Sequence, residues 1–383
     1  RDLDDDDVRA VQDEARRLVQ ESALRRVRSG NLMARRISDF VRSDRVEGFA
    51  LGAGVSQRLG AGFSSAAQGR YGFADHRWKG RGTLAWQRAS GLSISAIGVD
   101  DFRQLGQVAE VSSLRNTIAA QEFGSDWTQP IGVVGGALRL QWAPPSRSAF
   151  SLEIGRHDER ALAVNATPAS GRFAPTVPAR PIGRESLRLG WGLASRPPDA
   201  GDDGRWPLDW RFDLRAEGSR WDERQGSASG ELLHVGLDAE YTLGRAATRL
   251  RGRTIAAALS AGALPEQDLL RFGGPISAPG YDFHALVGRM GLSQRIELQQ
   301  RLPFLPLNLG RFGRVPASIV LAPYAQALWL EPAVPGAEQG WFPSVGLGAI
   351  GLFDLLRVDV ARGLRDGRWT FSVDVSASLW PVL

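Results

Sequence analysis

Two aspartates, Asp209 and Asp213, are spaced as a pair that could do acid–base chemistry. They lie in the stretch "PLDWRFDLRAEGSRW", residues 207 to 221, in which apolar and charged residues alternate without a break. Alternation at period two is the signal of a β-strand with one apolar face, so both carboxylates share the opposite face. Arg211 and Arg215 occupy that same face, and such neighbours favour structural ion pairs over acid–base catalysis. The charged face therefore predicts a polar, internally paired environment.

Other catalytic or ligand-binding motifs do not emerge from the sequence. The glycine-rich stretch "LGAGVSQRLGAG" begins at Leu51, but Gln57 stands where a dinucleotide-binding loop requires its third glycine. Glycines in this arrangement instead predict relief of crowding in a curved strand. The chain has no cysteine, its four histidines are scattered, and it shows no nucleophile elbow. We therefore expect no enzymatic activity, no cofactor and no metal site.

From residue 31 onward, the period of two recurs in segment after segment. Each segment has one apolar and one polar face, and turn residues separate the segments. The last segment, which we predict to be the closing strand, places four apolar residues on one face: Trp369, Phe371, Val373 and Val375.

Two architectures produce this pattern. In a β-sandwich the apolar face is the core, whereas in a membrane barrel it meets lipid and the polar face lines the lumen. Strand follows strand without a domain linker, tryptophans lie toward segment ends, and the long connections fall on one side when strands are counted up and down. These three features favour the barrel.

We therefore predict an all-β fold, a closed antiparallel up-and-down transmembrane β-barrel of about sixteen strands, with fourteen as the fallback. It extends over residues 31–383. A count of sixteen requires a first strand near Met33 to Arg42, where the alternation is poor. An arginine facing lipid at the bilayer midplane costs about 2–4 kcal/mol, so the charged face of residues 207 to 221 is predicted to face the lumen.

Residues 1–30 predict a short amphipathic helix on the periplasmic side or inside the barrel. Acids cluster at its start and arginines lie near Gly30, as the helix dipole favours. A calcium site in the run Asp4–Asp7 is the alternative. Because the chain begins with Arg1 and shows no charged-then-apolar leader, we expect the export signal to lie outside this sequence.

The net charge of +5 comes almost wholly from arginine. A nucleic-acid-binding protein clusters such charge with aromatic residues on one face, whereas here arginines alternate with acids along strands. We therefore expect outer-membrane lipid rather than nucleic acid as a partner, and a monomeric barrel.

The segment "LPEQDLLRFGGPISAPGYDFHALVGRMGLSQRIELQQRLPF", residues 264 to 304, resembles the in-folded loop and following strand of the BamA/TamA-type surface-antigen family of outer-membrane barrels. The family's loop reads F-x-G-G and then (V/I)-R-G-(F/Y), with an acidic residue on the next strand. The end of the chain also resembles the family's last two strands. The matching residues are Phe272, Gly273, Gly274, Gly280, Tyr281 and Glu297.

The sequence departs from the family at one position, because Pro279 replaces the loop arginine that binds acidic residues of the barrel wall. The resemblance implies a loop at about 261–285 that folds into the barrel, while ordinary Gly/Pro turns are the alternative. In place of the missing arginine, Arg271 or Arg289 is expected to bind Glu297 or Asp359. The full set of candidate lumen partners is Arg271, Arg289, Arg295, Glu297 and Asp359.

The resemblance implies assembly, insertion or translocation of proteins at the bacterial outer membrane, with unfolded proteins as clients. The physical device is the seam between first and last strands, where unpaired backbone groups can template an incoming strand. The poor alternation near Met33 to Arg42 fits a loose seam and equally a misplaced strand. A passive pore, or a membrane anchor or exporter for an upstream domain, is the alternative function, since the family's periplasmic receptor repeats are absent from this sequence.

Overall fold

The computed structural model describes most of the chain beyond residue 40. The described residues are 31–32, 41–144, 147–195, 208–245, 247–262, 264–303, 307–308, 314–315, 318–333, 336, 338–352 and 354–376. The predicted N-terminal helix, with the calcium alternative in its aspartates, lies outside them, as does most of the predicted first strand.

Within these residues the chain forms twenty strands and one α-helix. The strands are β1 (Asn31–Leu32), β2 (Val41–Asp44), β3 (Gly48–Gly60), β4 (Phe63–Gly72), β5 (Arg77–Gln87), β6 (Leu92–Gln104), β7 (Pro130–Trp142), β8 (Ser148–Arg160), β9 (Ile182–Ala194), β10 (Leu208–Glu223), β11 (Ser229–Arg245), β12 (Thr248–Ala261), β13 (Leu270–Phe272), β14 (Leu286–Pro303), β15 (Leu307–Asn308), β16 (Arg314–Val315), β17 (Ser318–Pro332), β18 (Gly340–Gly351), β19 (Leu356–Gly363) and β20 (Trp369–Val375). The helix α1 (Ser113–Phe123) lies between β6 and β7, and a single 3-10 turn covers Glu266–Asp268.

Eighteen of these strands form one antiparallel sheet, in which neighbours in sequence are neighbours in space. β1 and β2 both pair with β3 on the edge opposite to β4, and β12 and β13 pair with successive parts of β14. The eighteen strands therefore occupy sixteen successive positions. The remaining two, β15 and β16, form a separate short hairpin. The prediction of an all-β, up-and-down antiparallel sheet is confirmed.

The two ends of the described sheet are β2 and β20. We call the space between them the seam. Within the described ranges β2 pairs with β3 and β20 pairs with β19, and no hydrogen-bonded ladder joins β2 to β20.

The two faces of the sheet differ in the way that the alternation predicts. On β10, Leu208 and Trp210 are exposed on one face, while Glu217, on the other, receives hydrogen bonds from Arg188 of β9. We call the face with Leu208 the outer face and the face with Glu217 the inner face. Buried ion pairs such as Arg184 with Glu159 lie on the inner face, which shows that this face is covered.

Long loops cover the inner face from one end of the sheet. The connections at 105–129, 161–181 and 262–285 all follow strands that run in the same direction, whereas those at 61–62 and 88–91 lie at the opposite end. In the described part of the chain, the helices are too short and too polar to cross a bilayer. An apolar cluster fills the space between the third loop and the wall; its members include Leu270, Phe272, Leu328 and Phe342.

We expect charge to be tolerated on the inner face and not in the apolar part of the outer face. Leu189 of β9 is 53% exposed on the outer face, and the substitution Leu189→Arg should lower the free energy of unfolding in lipid vesicles by about 2–4 kcal/mol. The matched control, Arg215→Leu on the inner face of β10, should change it by less than about 0.5 kcal/mol. Urea unfolding followed by tryptophan fluorescence measures both, and equal losses would contradict the assignment of the faces.

Candidate functional site at the inner face and the seam

The loop that carries the recognised motif packs against the inner face. We call residues 264–285 the motif loop. Its Phe272 is fully buried in the apolar cluster, and the hydroxyl of Tyr281 donates to the carbonyl of Pro343 on β18 at 2.9 Å. The N–H of Gly280 donates to Oγ1 of Thr370 on β20 at 3.0 Å. The motif loop therefore contacts the wall close to the last strand.

Glycine is required at two motif positions because the backbone comes too close for a side chain. Gly280 has φ +88°, and a Cβ there would lie 2.2 Å from the backbone nitrogen of Gly363 on β19. A Cβ on Gly273 would lie 2.0 Å from the carbonyl oxygen of Asp282. Gly274 also has a positive φ, and Pro279 is buried beside Gly280. The motif residues therefore shape the turn that brings the loop onto the wall.

A cluster of two acids and two arginines lies below the motif loop on the inner face. Nη2 of Arg295 lies 2.6 Å from Oε2 of Glu297, and both terminal nitrogens of Arg357 reach the same carboxylate at 2.7 and 3.0 Å. Nε of Arg357 also donates to Asp359 at 2.7 Å. Arg295 reaches further, because its Nη1 donates to the carbonyl of Pro275 in the motif loop at 3.0 Å. The wall thus holds the loop through an arginine of its own.

Three of the predicted partners, Arg295, Glu297 and Asp359, are brought together, and two are not. Arg271 bonds to Glu266 at 2.8 Å, and Arg289 donates to the carbonyl of Ala261 at 3.0 Å. The expectation that either arginine pairs with Glu297 or Asp359 is therefore wrong. Arg271 is paired in register with Val287, ten residues from Glu297 along β14, or roughly 33 Å at the rise of a strand. No arginine side chain spans that distance.

Two members of this network were not predicted from the sequence. Arg357 shares a face with Asp359 in the alternation of β19, which is the signal that identifies it. Glu110 lies in the connection between β6 and α1 and is buried. It accepts hydrogen bonds from the backbone N–H groups of Ile276, at 2.7 Å, and of Ser277, at 3.1 and 3.2 Å. One loop therefore binds another through a buried carboxyl group.

Burial raises the pKa of Glu110 to about 7, although hydrogen bonds from Ser277 and Ile276 and the charge of Arg253 act in the opposite direction. Ser277 is itself fixed to the wall, since its carbonyl accepts from Ser293 at 2.7 Å and from Gln326 at 2.8 Å. The protonation state of Glu110 therefore affects the contact between the two loops.

The predicted closing strand, β20, directs its large apolar side chains outward. Trp369 and Phe371 are 64% and 65% exposed, and Val373 is also exposed on this face. Val375, two residues further, is half-buried.

The helix α1 lies at the seam and contacts both strands that border it. At its N-terminus, the N–H of Ser112 donates to the carboxylate of Asp374 on β20 at 2.8 Å, and its hydroxyl donates to the other oxygen. On the opposite side, the hydroxyl of Ser43 on β2 donates to Oε1 of Gln121 at 3.0 Å. Arg45, in the turn after β2, forms a buried ion pair with Asp126 beyond the end of the helix at 3.0 Å.

A polar cavity also opens on the inner face. Its volume is about 1120 Å³. Polar side chains of β3 to β7 line much of it, among them Ser56, Arg58, Gln68, Arg81, Thr83 and Arg139.

No protein-family model and no curated protein sequence matches the chain. Among solved structures, the chain is similar to BamA from Haemophilus ducreyi lacking POTRA domains 1–3, with a TM-score of 0.52 and 13% identity over 88% of this chain and 68% of that chain. It also matches two Pseudomonas aeruginosa structures at 14% identity over 85% of this chain. These are OccK10 (OpdN), with a TM-score of 0.33 over 88% of that chain, and OccK11 (OpdR), with a TM-score of 0.30 over 87% of that chain. The first similarity supports the fold of an outer-membrane β-barrel.

We expect Glu297 to be essential for the inner-face cluster. The substitution Glu297→Leu leaves the guanidinium groups of Arg295 and Arg357 buried without their shared carboxylate, so the free energy of unfolding should fall by about 3–5 kcal/mol. The matched control is Asp213→Leu on the same inner face, because Asp213 pairs with Arg211 where both side chains are at least 36% exposed and should contribute less than about 1 kcal/mol. Urea titration in detergent micelles measures both losses. Similar losses for the two variants would show that the cluster is solvated.

We expect Glu110 to make stability depend on pH. Its pKa in the folded protein, about 7, lies above its usual value of 4.5, so its contribution is complete below pH 4.5 and is lost as the pH rises through about 7. The difference in unfolding free energy between wild type and Glu110→Gln should therefore change between pH 5 and pH 8, to the disadvantage of the wild type. A pH-independent difference for Glu110→Gln would contradict the assignment.

Proposed function

We propose that the sheet closes into an outer-membrane β-barrel of the BamA/TamA type, and that the barrel assembles, inserts or translocates other polypeptides at its seam. The observation that carries this proposal is the construction of the seam. At Ser43 of β2 and Val373 of β20, the strands contact the helix α1 rather than each other. A barrel whose only task is to enclose a pore has no need of such a joint.

The proposed location follows from the outer face. Large apolar side chains are exposed on successive strands of that face, including Leu138, Ile154, Leu189 and Leu233. Hydrocarbon is the environment that stabilises such a surface, while exposed apolar patches of this extent cause aggregation in water. We infer that the barrel is a monomer in contact with outer-membrane lipid.

The proposed mechanism uses the backbone of the border strands. An edge strand presents N–H and C=O groups that pair with another extended chain. An unfolded client barrel contains such segments, and pairing one of them at the seam would satisfy its backbone groups before it enters lipid, where unsatisfied groups cost several kcal/mol each. The motif loop would hold β20 in place during this step, since Gly280 contacts Thr370 on that strand.

A passive pore is the second candidate function. The observation that favours it is the cavity of about 1120 Å³ with its lining of hydroxyl, amide and guanidinium groups. Such a lining suits the passage of small polar solutes.

Reconstitution of the purified chain into liposomes together with a urea-unfolded barrel client separates the two functions. For the proposed function, we expect the client to fold about tenfold faster than in empty liposomes, a change that corresponds to about 1.4 kcal/mol in the barrier. Cold SDS–PAGE mobility and protease protection of the client measure the rate. Liposomes that contain an unrelated closed barrel at the same density are the control for membrane defects.

The same vesicles report the alternative. Steady solute flux or conductance without acceleration of client folding would favour the passive pore and would contradict the assembly function.

A further inference from the structure

At Ser43, the strand β2 has a backbone N–H that pairs with no other described strand. Ser43 lies opposite Phe49 of β3, and the carbonyl of Phe49 accepts from Phe73, on the far side of β3, at 3.0 Å. In an antiparallel ladder both backbone groups of a residue point to the same side. Ser43 and Phe49 are therefore a non-hydrogen-bonded pair, and the N–H of Ser43 points away from β3 into the seam. Its partner there is Oγ1 of Thr117 in α1, at 3.4 Å.

The last strand has a matching unpaired edge at Val373. The N–H of Ser376 donates to the carbonyl of Leu355 at 2.7 Å, and hydrogen-bonded pairs alternate with non-hydrogen-bonded pairs along the ladder. Val373, three residues from Ser376, therefore belongs to a non-hydrogen-bonded pair, and its carbonyl points into the seam. Nε of Arg115 in α1 donates to this carbonyl at 3.1 Å.

The helix α1 therefore occupies the place that a pairing strand would take. Arg115 binds the carbonyl of Val373 on β20, and Thr117 binds the N–H of Ser43 on β2. Its two ends are bound as well, because Ser112 contacts Asp374 and Gln121 contacts Ser43.

Few apolar contacts hold α1 in this position. Of its eleven residues, Asn116 and Ala120 are buried. Its large apolar side chains Ile118 and Phe123 are 53% and 65% exposed. Segments with little buried apolar surface open at low free energy. The hydrogen bonds between α1 and the two border strands are ones that another polypeptide can replace, while the last turn of the helix also accepts from Ala169 and Ser170 of the 161–181 connection, each at 2.9 Å.

We propose that α1 is a removable cover of the seam: it competes with an extended strand of another polypeptide for the edges of β2 and β20, and it must leave before that strand pairs. This inference rests on the proposed function and specifies its gate. The fitting partner is an extended segment with alternating apolar and polar residues, because such a segment continues the outer and inner faces of the sheet.

Because the chain has no cysteine, a pair of introduced cysteines can fix α1 in place by a disulfide. The double variant Ser112→Cys/Asp374→Cys should form a disulfide that ties α1 to β20, since these two side chains are hydrogen-bonded. The control variant Ser64→Cys/Ala85→Cys joins directly opposite residues of β4 and β5, away from the seam. The probe is a synthetic peptide of residues 368–376 of this chain, with a benzophenone in place of Phe371. Its photo-crosslinking to the barrel in liposomes is mapped by mass spectrometry.

We expect crosslinking to β2 to fall about tenfold when the Ser112/Asp374 pair is oxidised and to recover on reduction, while oxidation of the control pair has no effect. The substitution Thr117→Val removes one bond of α1 to the edge, so it should raise crosslinking about twofold to tenfold. Equal crosslinking in the oxidised and reduced forms, or failure of the Ser112/Asp374 disulfide to form in the folded barrel, would overturn the proposal. If peptide crosslinking depends on the Ser112/Asp374 disulfide as expected but client folding is not accelerated, the proposed assembly function is contradicted, while the proposal that α1 covers the seam is supported.

Discussion

The pairing of charges on a covered face is the constraint on which the rest of the structure depends. Every second residue of the strands belongs to the inner face, which the loops cover, and most of the buried ionised side chains lie there. Charges removed from water need partners within reach, because an unpaired buried charge is strongly destabilising. Glu153 illustrates the solution, since Arg139 and Arg188 approach it from both neighbouring strands. The wall is in this respect a ladder of lateral ion pairs.

The same constraint explains why the long loops fold over the inner face. Some charged side chains of the inner face find too few partners of opposite charge on the neighbouring strands, and the loops supply the additional partners. Arg184 of β9, for example, is 1% exposed and is shared between Glu159 of the wall and Asp268 of the motif loop. Burial raises the pKa of Asp268 even so, which indicates that the loop group is drawn out of water by this contact. The loops are therefore part of the electrostatics of the wall as well as its cover.

The extent to which the sequence predicts this structure follows the range of the interactions. Alternation is local, so the strand over Leu208–Glu223 and the direction of its charges could be predicted from the residues alone. The sequence gives no signal for the helix α1, because its eleven residues carry polar groups on several sides and show no amphipathic pattern. The partners of Arg271 and Arg289 were wrongly predicted for a related reason. They depend on how far along β14 the motif loop returns, which is a tertiary distance with no signal in the sequence.

Pro279, which stands where the similar loop of the BamA/TamA-type family has an arginine, takes a different meaning in this context. An arginine at that position would reach from the loop to acids of the wall. Here the direction of the contact is reversed, because Arg295 of the wall reaches the carbonyl of Pro275 in the loop. The acid that an anchored loop needs comes from a second loop, through Glu110. Since both contacts end on backbone groups, they constrain the path of the loop without requiring a particular side chain at position 279. A proline there is compatible with an anchored loop, and it also fixes the backbone just before the close approach of Gly280 to Gly363.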